Sequence, residues 1–164
     1  MVNLYIVRHG EANPLGGEFR NDYERTLSEQ GRAEAMLMAQ ALVNIDLNIS
    51  TILTSPLVRA VETGKIFGRP LRREPTVSRK LEPGFDPREL AEEMSAMDNA
   101  GGVVLVGHQP DMSIFVSYLI SPAHTAMVAM ETCAVACVHL SSKDQPKLRW
   151  LLTPEIVRRL NPTF

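Results

Sequence analysis

Three short strand-like runs, each followed within five residues by a histidine or an arginine, set the limits on what this chain can fold into. Val2–Val7 runs into Arg8-His9-Gly10-Glu11, Ser50–Thr54 into Ser55-Pro56-Leu57-Val58-Arg59-Ala60, and Val103–Val106 into Gly107-His108-Gln109-Pro110. Runs this short and bounded by turn residues read as strands. An uninterrupted apolar one such as Val103–Val106 suits the centre of a parallel sheet covered on both faces.

Helix signals lie between these runs. Ser28 is a good N-cap for a helix running to about Val43, with Ala33, Met36, Leu37 and Ala41 on its apolar face. Ser55-Pro56, a hydroxyl cap followed by proline at the first helical position, predicts a second helix that ends near Gly68. Asp86-Pro87 repeats the signal for a helix through about Asn99, stopped by Gly101 and Gly102, and Asp111 opens another to about Ile120. Cys133–Leu140 and Leu148–Leu152 read as two later strands, and Thr153-Pro154 starts a short C-terminal helix. Strands alternating with helices predict an α/β fold, a three-layer α/β/α sandwich around a mostly parallel central sheet. With 164 residues, 45% of them hydrophobic, and no internal repeat, one domain over residues 1–164 is expected.

Composition removes several classes of function. A net charge of -2 gives no bulk attraction for nucleic acid or an anionic membrane, so any anion site must be a local arrangement of Arg and His. No apolar run approaches the roughly 20 residues that cross a bilayer, and Met1–Arg8 lacks the pattern of a signal peptide. Cys133 and Cys137, evenly spaced in one apolar segment, read as small buried residues on one face. A disulfide within one strand is geometrically poor, and the spacing matches no zinc pair. The expectation is a cytoplasmic protein that needs no metal and no cofactor. His124 and His139 read as structural, Met36, Met38, Met127 and Met130 as core, and Arg69, Arg72, Arg73, Arg79 and Lys80 as a solvated basic surface.

Ligands of open α/β sheets bind beyond the carboxyl ends of the strands. Here those ends deliver Arg8, His9, Arg59 and His108 toward one edge, an anion pocket with no carboxylate cluster for a metal. Guanidinium groups suit phosphate because they donate paired hydrogen bonds and stay charged. A neutral histidine can attack phosphorus through one ring nitrogen when the other is held by an acceptor, such as a backbone carbonyl. Gly10 would let the backbone approach the ligand, Gln109 stands beside His108 at the same edge, and a protonated second histidine would stabilise charge on the transferring oxygens.

Three blocks, Arg8-His9-Gly10-Glu11, Thr54-Ser55-Pro56-Leu57-Val58-Arg59-Ala60-Val61-Glu62-Thr63 and Gly107-His108, resemble the histidine phosphatase superfamily in order and placement. The resemblance covers essentially the whole chain and implies the phosphoglycerate mutase-like fold. It implies His9 as nucleophile, with Arg8, Arg59 and His108 on the phosphoryl group. Arg25-Thr26-Leu27-Ser28 before Gly31, and Leu81-Glu82-Pro83-Gly84, look like the SixA-type phosphohistidine phosphatase branch, in which an arginine at the position of Arg25 also faces the phosphate. Arg25, Gly10 and Gln109 are therefore expected at the substrate.

Phosphomonoester members of the superfamily usually place an acid to protonate the leaving oxygen. Glu82 is the candidate proton donor, ahead of Asp86 and Glu11, although its surroundings fit the mutase pattern poorly. Imidazole, whose conjugate acid has a pKa of roughly 6.5, leaves far more easily than an alkoxide, so cleavage of a P–N bond tolerates weak acid assistance. The resulting expectation is a phosphatase acting on a phosphohistidine-bearing phosphotransfer protein, with inorganic phosphate as product. The alternatives are a small-molecule phosphomonoesterase of the same superfamily and a non-catalytic phosphate- or phosphoprotein-binding module.

Overall fold

A computed structural model describes residues 2–97, 101–121, 123, 127–141 and 144–160. Six strands form one sheet: β1 (Val2–Arg8), β2 (Ile49–Thr54), β3 (Thr76–Val77), β4 (Gly102–Gly107), β5 (Val135–Leu140) and β6 (Lys147–Leu152). Their spatial order is β3-β2-β4-β1-β5-β6. β4 pairs parallel with both β1 and β2, β3 pairs parallel with β2, and β5 runs antiparallel between β1 and β6. The sheet is thus mostly parallel, as the alternating pattern predicts, and the carboxyl ends of β1, β2 and β4 meet at one edge.

Five helices cover it: α1 (Glu29–Asn44), α2 (Val58–Leu71), α3 (Pro87–Ala96), α4 (Asp111–Ile120) and α5 (Pro154–Leu160). Alternation along β1 splits the core between the two faces. Leu4 and Ile6 join Leu90 and Met94 of α3 and Phe115 and Val116 of α4. Tyr5 and Val7 join Met38 and Leu42 of α1, Phe67 of α2 and Val157 of α5. The result is the expected three-layer sandwich. Phe67 and Phe115, fully buried, anchor opposite layers, and each such burial contributes about 1.5–3 kcal/mol. No described helix is long and apolar enough to cross a membrane.

Several boundaries follow the sequence signals closely. Ser28 caps α1 by accepting from the Gly31 N–H, and Asp86 caps α3 by accepting from Arg88 N–H. Asn99, where the sequence places the end of α3, lies outside the described residues, as does His124.

Other expectations are corrected. The buried face of α1 is Gly31, Glu34, Ala35, Met38, Ala39 and Leu42, and Met36 and Ala33 point outward. The reason is Glu34, a polar residue accepted on the inner face because Arg158 of α5 pairs with its carboxylate. Met127 is likewise exposed, whereas Met38 and Met130 are core. α2 begins at Val58, not at Pro56, and runs three residues past Gly68 to Leu71, with Pro70 inside its last turn. β5 begins at Val135. Cys133 precedes it with a left-handed φ of 58°, yet both thiols are buried in the same layer.

Candidate active site

β1 ends at Arg8, and His9 is the first residue beyond it. The His9 N–H donates to Gly107 O at 3.0 Å, and Cys133 N–H donates to Arg8 O at 3.0 Å, so the backbone here is pinned between β4 and the approach to β5. His9 Nδ1 lies 2.6 Å from Gly10 O. A carbonyl can only accept, so Nδ1 carries the proton and Nε2 carries the lone pair. That lone pair accepts from Arg59 Nε at 3.1 Å. Burial brings His9 from 6.5 down to about 4, and Arg59, Arg8 and Arg25 push the same way against the Gly10 carbonyl. The ring is therefore neutral near pH 7, with one nitrogen ready to act as a nucleophile.

His108 follows β4. Its ring centroid is 5.0 Å from that of His9, with the planes tilted by 59°. Its Nε2 is 2.7 Å from Ser55 Oγ, at the end of β2. This contact explains why α2 starts late: the Ser55 hydroxyl is turned to the histidine and serves only the Leu57 N–H at 3.4 Å. Ser55 Oγ can accept from that N–H and donate its own hydrogen to Nε2, the arrangement in which His108 Nδ1 carries the proton. Among the described residues His108 Nδ1 is buried and without a partner, and so is Arg8 Nε. Burial pulls His108 down to about 3, helped by the charges at His9 and Arg59 and opposed by Asp22. The ring, held at the Ser55 hydroxyl, is neutral near pH 7 in this state.

Arg59, the second residue of α2, is buried and faces the strand ends as expected. Its Nη1 donates to Asp22 O at 2.6 Å and its Nη2 to Asp22 Oδ2 at 2.8 Å. Arg25 Nη1 reaches Asp22 Oδ1 at 2.7 Å, and Arg25 Nε donates to Asn13 O at 2.6 Å. Arg8 Nη1 donates to Met130 O at 3.0 Å, and burial lowers its pKa from the usual arginine value. Three guanidinium groups and two neutral imidazoles thus share one edge, a donor-rich and largely desolvated setting for a tetrahedral oxyanion.

The other expected residues divide. The Gly10 N–H is used on Thr63 Oγ1 at 3.1 Å, and a Cβ on Gly10 would stand 2.8 Å from Gly31 O. The close approach that requires a glycine here is made by the protein's own α1. Gln109 is exposed, with its amide tied to Ser113 Oγ at 2.6 Å on α4, the helix that follows it. Glu82 is half-buried at the end of a 3-10 turn, Arg79–Leu81, that follows β3 at the same sheet edge. Ser55, Thr63 and Asp22 are the residues that sequence reasoning missed. Ser55 was read as a cap, and Asp22 sits in a polar loop with nothing local to mark it.

Known proteins can now be set beside this geometry. The family described as the histidine phosphatase superfamily (branch 1) matches residues 4–83. An uncharacterized protein of Picosynechococcus is 38% identical over 68% of this chain and 68% of its own length. The phosphohistidine phosphatase SixA of Escherichia coli is 28% identical over 93% of this chain and 94% of its own. A solved structure of the protein histidine phosphatase SixA complexed with tungstate superposes with a TM-score of 0.83 at 26% identity, covering 94% of this chain and 99% of that one.

Proposed function

This chain belongs to the histidine phosphatase superfamily, among its SixA-type members, and is a metal-independent hydrolase; from that premise we propose that it removes phosphate from phosphohistidine on a protein, carrying the phosphoryl group on His9. The observation that carries this reading is the His9 tautomer, with Nδ1–H held by the Gly10 carbonyl and Nε2 turned to the Arg59 guanidinium.

The steps follow from the donors. A phosphoryl group enters with its oxygens toward Arg59, Arg8 and Arg25, and takes over the Arg59 Nε–H that now rests on His9 Nε2. The Nε2 lone pair attacks phosphorus, the bond from phosphorus to the leaving nitrogen breaks, and the departing imidazole takes a proton from solvent, to which the attacking water of the next step returns one. His108 Nδ1–H and Arg8 Nε–H, both buried, find acceptors in the equatorial oxygens. Water then attacks the phosphoenzyme and releases inorganic phosphate, returning His9 to its starting tautomer. Imidazole is a good leaving group, so Glu82 gives weak assistance at most. A SixA structure is complexed with tungstate, itself a tetrahedral oxyanion, which supports an oxyanion as the ligand here. One domain does this chemistry, in the cytoplasm, on a phosphohistidine-bearing phosphotransfer protein, without nucleic acid, membrane or cofactor.

The test is a paired hydrolysis assay in excess chelator, with a histidine-phosphorylated carrier protein beside an aryl phosphate, for wild type and His9→Ala. Faster turnover of the carrier, lost in His9→Ala, is the expected result. Preference for the aryl ester moves the substrate to phosphomonoesters, and no turnover of either favours a binding module.

A further inference from the structure

Among the described residues, Asp22 is the one acid paired with the arginines of the site. It opens a 3-10 turn, Asp22–Glu24, in the polar loop between β1 and α1, and Asn21 caps that turn by accepting from the Glu24 N–H at 3.1 Å. The loop is anchored at its base, where Asn13 N–H donates to Thr26 O at 2.9 Å and Asn13 Nδ2 to Thr26 Oγ1 at 3.0 Å. Its carboxylate spans two guanidinium groups, Arg59 at 2.8 Å and Arg25 at 2.7 Å. Its backbone carbonyl takes a third contact, from Arg59 Nη1 at 2.6 Å. The Arg59 side chain is 7% exposed and that of Asp22 is 48% exposed, so a rim residue holds a buried one.

We infer that Asp22 is a positioning residue for phosphoryl transfer, a clamp that fixes Arg59 and Arg25 in the orientation that receives the phosphoryl oxygens. The inference rests on reading this edge as a phosphoryl site. A guanidinium carries five N–H bonds. Arg59 uses three, on His9 Nε2, Asp22 O and Asp22 Oδ2, and keeps two. Arg25 uses two, on Asn13 O and Asp22 Oδ1, and keeps three. The carboxylate can therefore stay in place while both arginines bind a phosphate. Charge points the same way: three arginines and one carboxylate, with two neutral histidines, leave +2, which matches a phosphoryl group of about −2. Arg59 Nε is also the donor on the nucleophilic nitrogen, so the angle at which Asp22 holds the guanidinium sets where phosphorus must sit relative to His9.

The test combines orthophosphate binding by calorimetry with kcat and KM on an aryl phosphate, for the full chain as wild type, Asp22→Ala, Asp22→Asn, Arg59→Ala and Asp22→Ala/Arg59→Ala. Asp22→Ala is expected to weaken orthophosphate binding and to lower kcat by about 10²-fold through misplacement of the arginines. Asp22→Asn, which keeps one side-chain acceptor and the backbone carbonyl, recovers part of the loss. In the Arg59→Ala background, Asp22→Ala costs little more, because the two act as a unit. Tighter orthophosphate binding by Asp22→Ala with kcat retained would overturn the inference and make the carboxylate a competitor for the anion. Fully additive losses in the double variant would overturn it as well. A wild type that binds no orthophosphate removes the phosphoryl-site reading itself, and that result is distinct from a defect confined to Asp22 variants.

Discussion

The two ends of one sheet treat the same residue type in opposite ways. His108, at the carboxyl end of β4, is buried, pushed down to about 3, and keeps a ring nitrogen that no described group satisfies. His139, at the other end on β5, is only partly covered, and its Nδ1 is met by Asn3 Oδ1 at 2.8 Å. It lines a cavity of about 140 Å³ with Asn3, Tyr5, Asn48, Gly101 and Gly102, where Gly102 N–H is itself bonded to Asn48 O at 2.7 Å. A buried polar atom without a partner costs about 1–3 kcal/mol. One end of the sheet avoids that cost, and the other carries it at His108 Nδ1, Arg8 Nε and Thr54 Oγ1 among the described residues. Donors left without an acceptor at this edge are placed to receive an incoming oxyanion, as a binding site requires.

Substitutions should separate the two ends sharply. His9→Ala is expected to lower phosphate release by at least ~10⁴-fold in steady-state assays, since the nucleophile has no substitute. Arg59→Ala should lower kcat by about 10²–10³-fold, the usual loss for one donor to a developing charge. A conformational readout tests the same contrast through pH. The two site histidines have folded-state values near 4 and 3, below the unfolded 6.5, so the unfolded chain binds more protons. Their contribution to stability is fully present above about pH 6.5 and is lost progressively as pH falls through about 4 for His9 and about 3 for His108. Urea midpoints measured across that window should decline in wild type and decline less steeply in His108→Asn. At the far end, His139→Gln should change turnover by less than about twofold and stability by about 0.5 kcal/mol or less. A large effect there would break the comparison.

What the sequence made legible is what short-range chemistry decides. The strand ends that bear Arg8, His9 and His108 could be read from apolar runs, and the caps at Ser28 and Asp86 from their first turns. What it concealed depends on partners distant in the chain. Met36 looked like core because nothing near it showed that Glu34 would turn inward to meet Arg158, 124 residues away. Ser55 had the form of a helix cap, but His108, 53 residues on, takes its hydroxyl and delays α2. Asp22 gives no local signal at all, since its role exists only where the loop passes Arg59. Gly10 was expected to bring the backbone close to the ligand, and the close approach seen there is instead to the backbone of Gly31.

The most direct test of the central claim is to trap the phosphoenzyme during turnover by alkaline quench, which preserves a P–N bond, and to locate the phosphoryl group by phosphorus NMR and peptide mass spectrometry. The account predicts phosphate on Nε2 of His9, and none in His9→Ala. Phosphate on Nδ1 of His9, on His108, or on no residue while substrate is still consumed would contradict it.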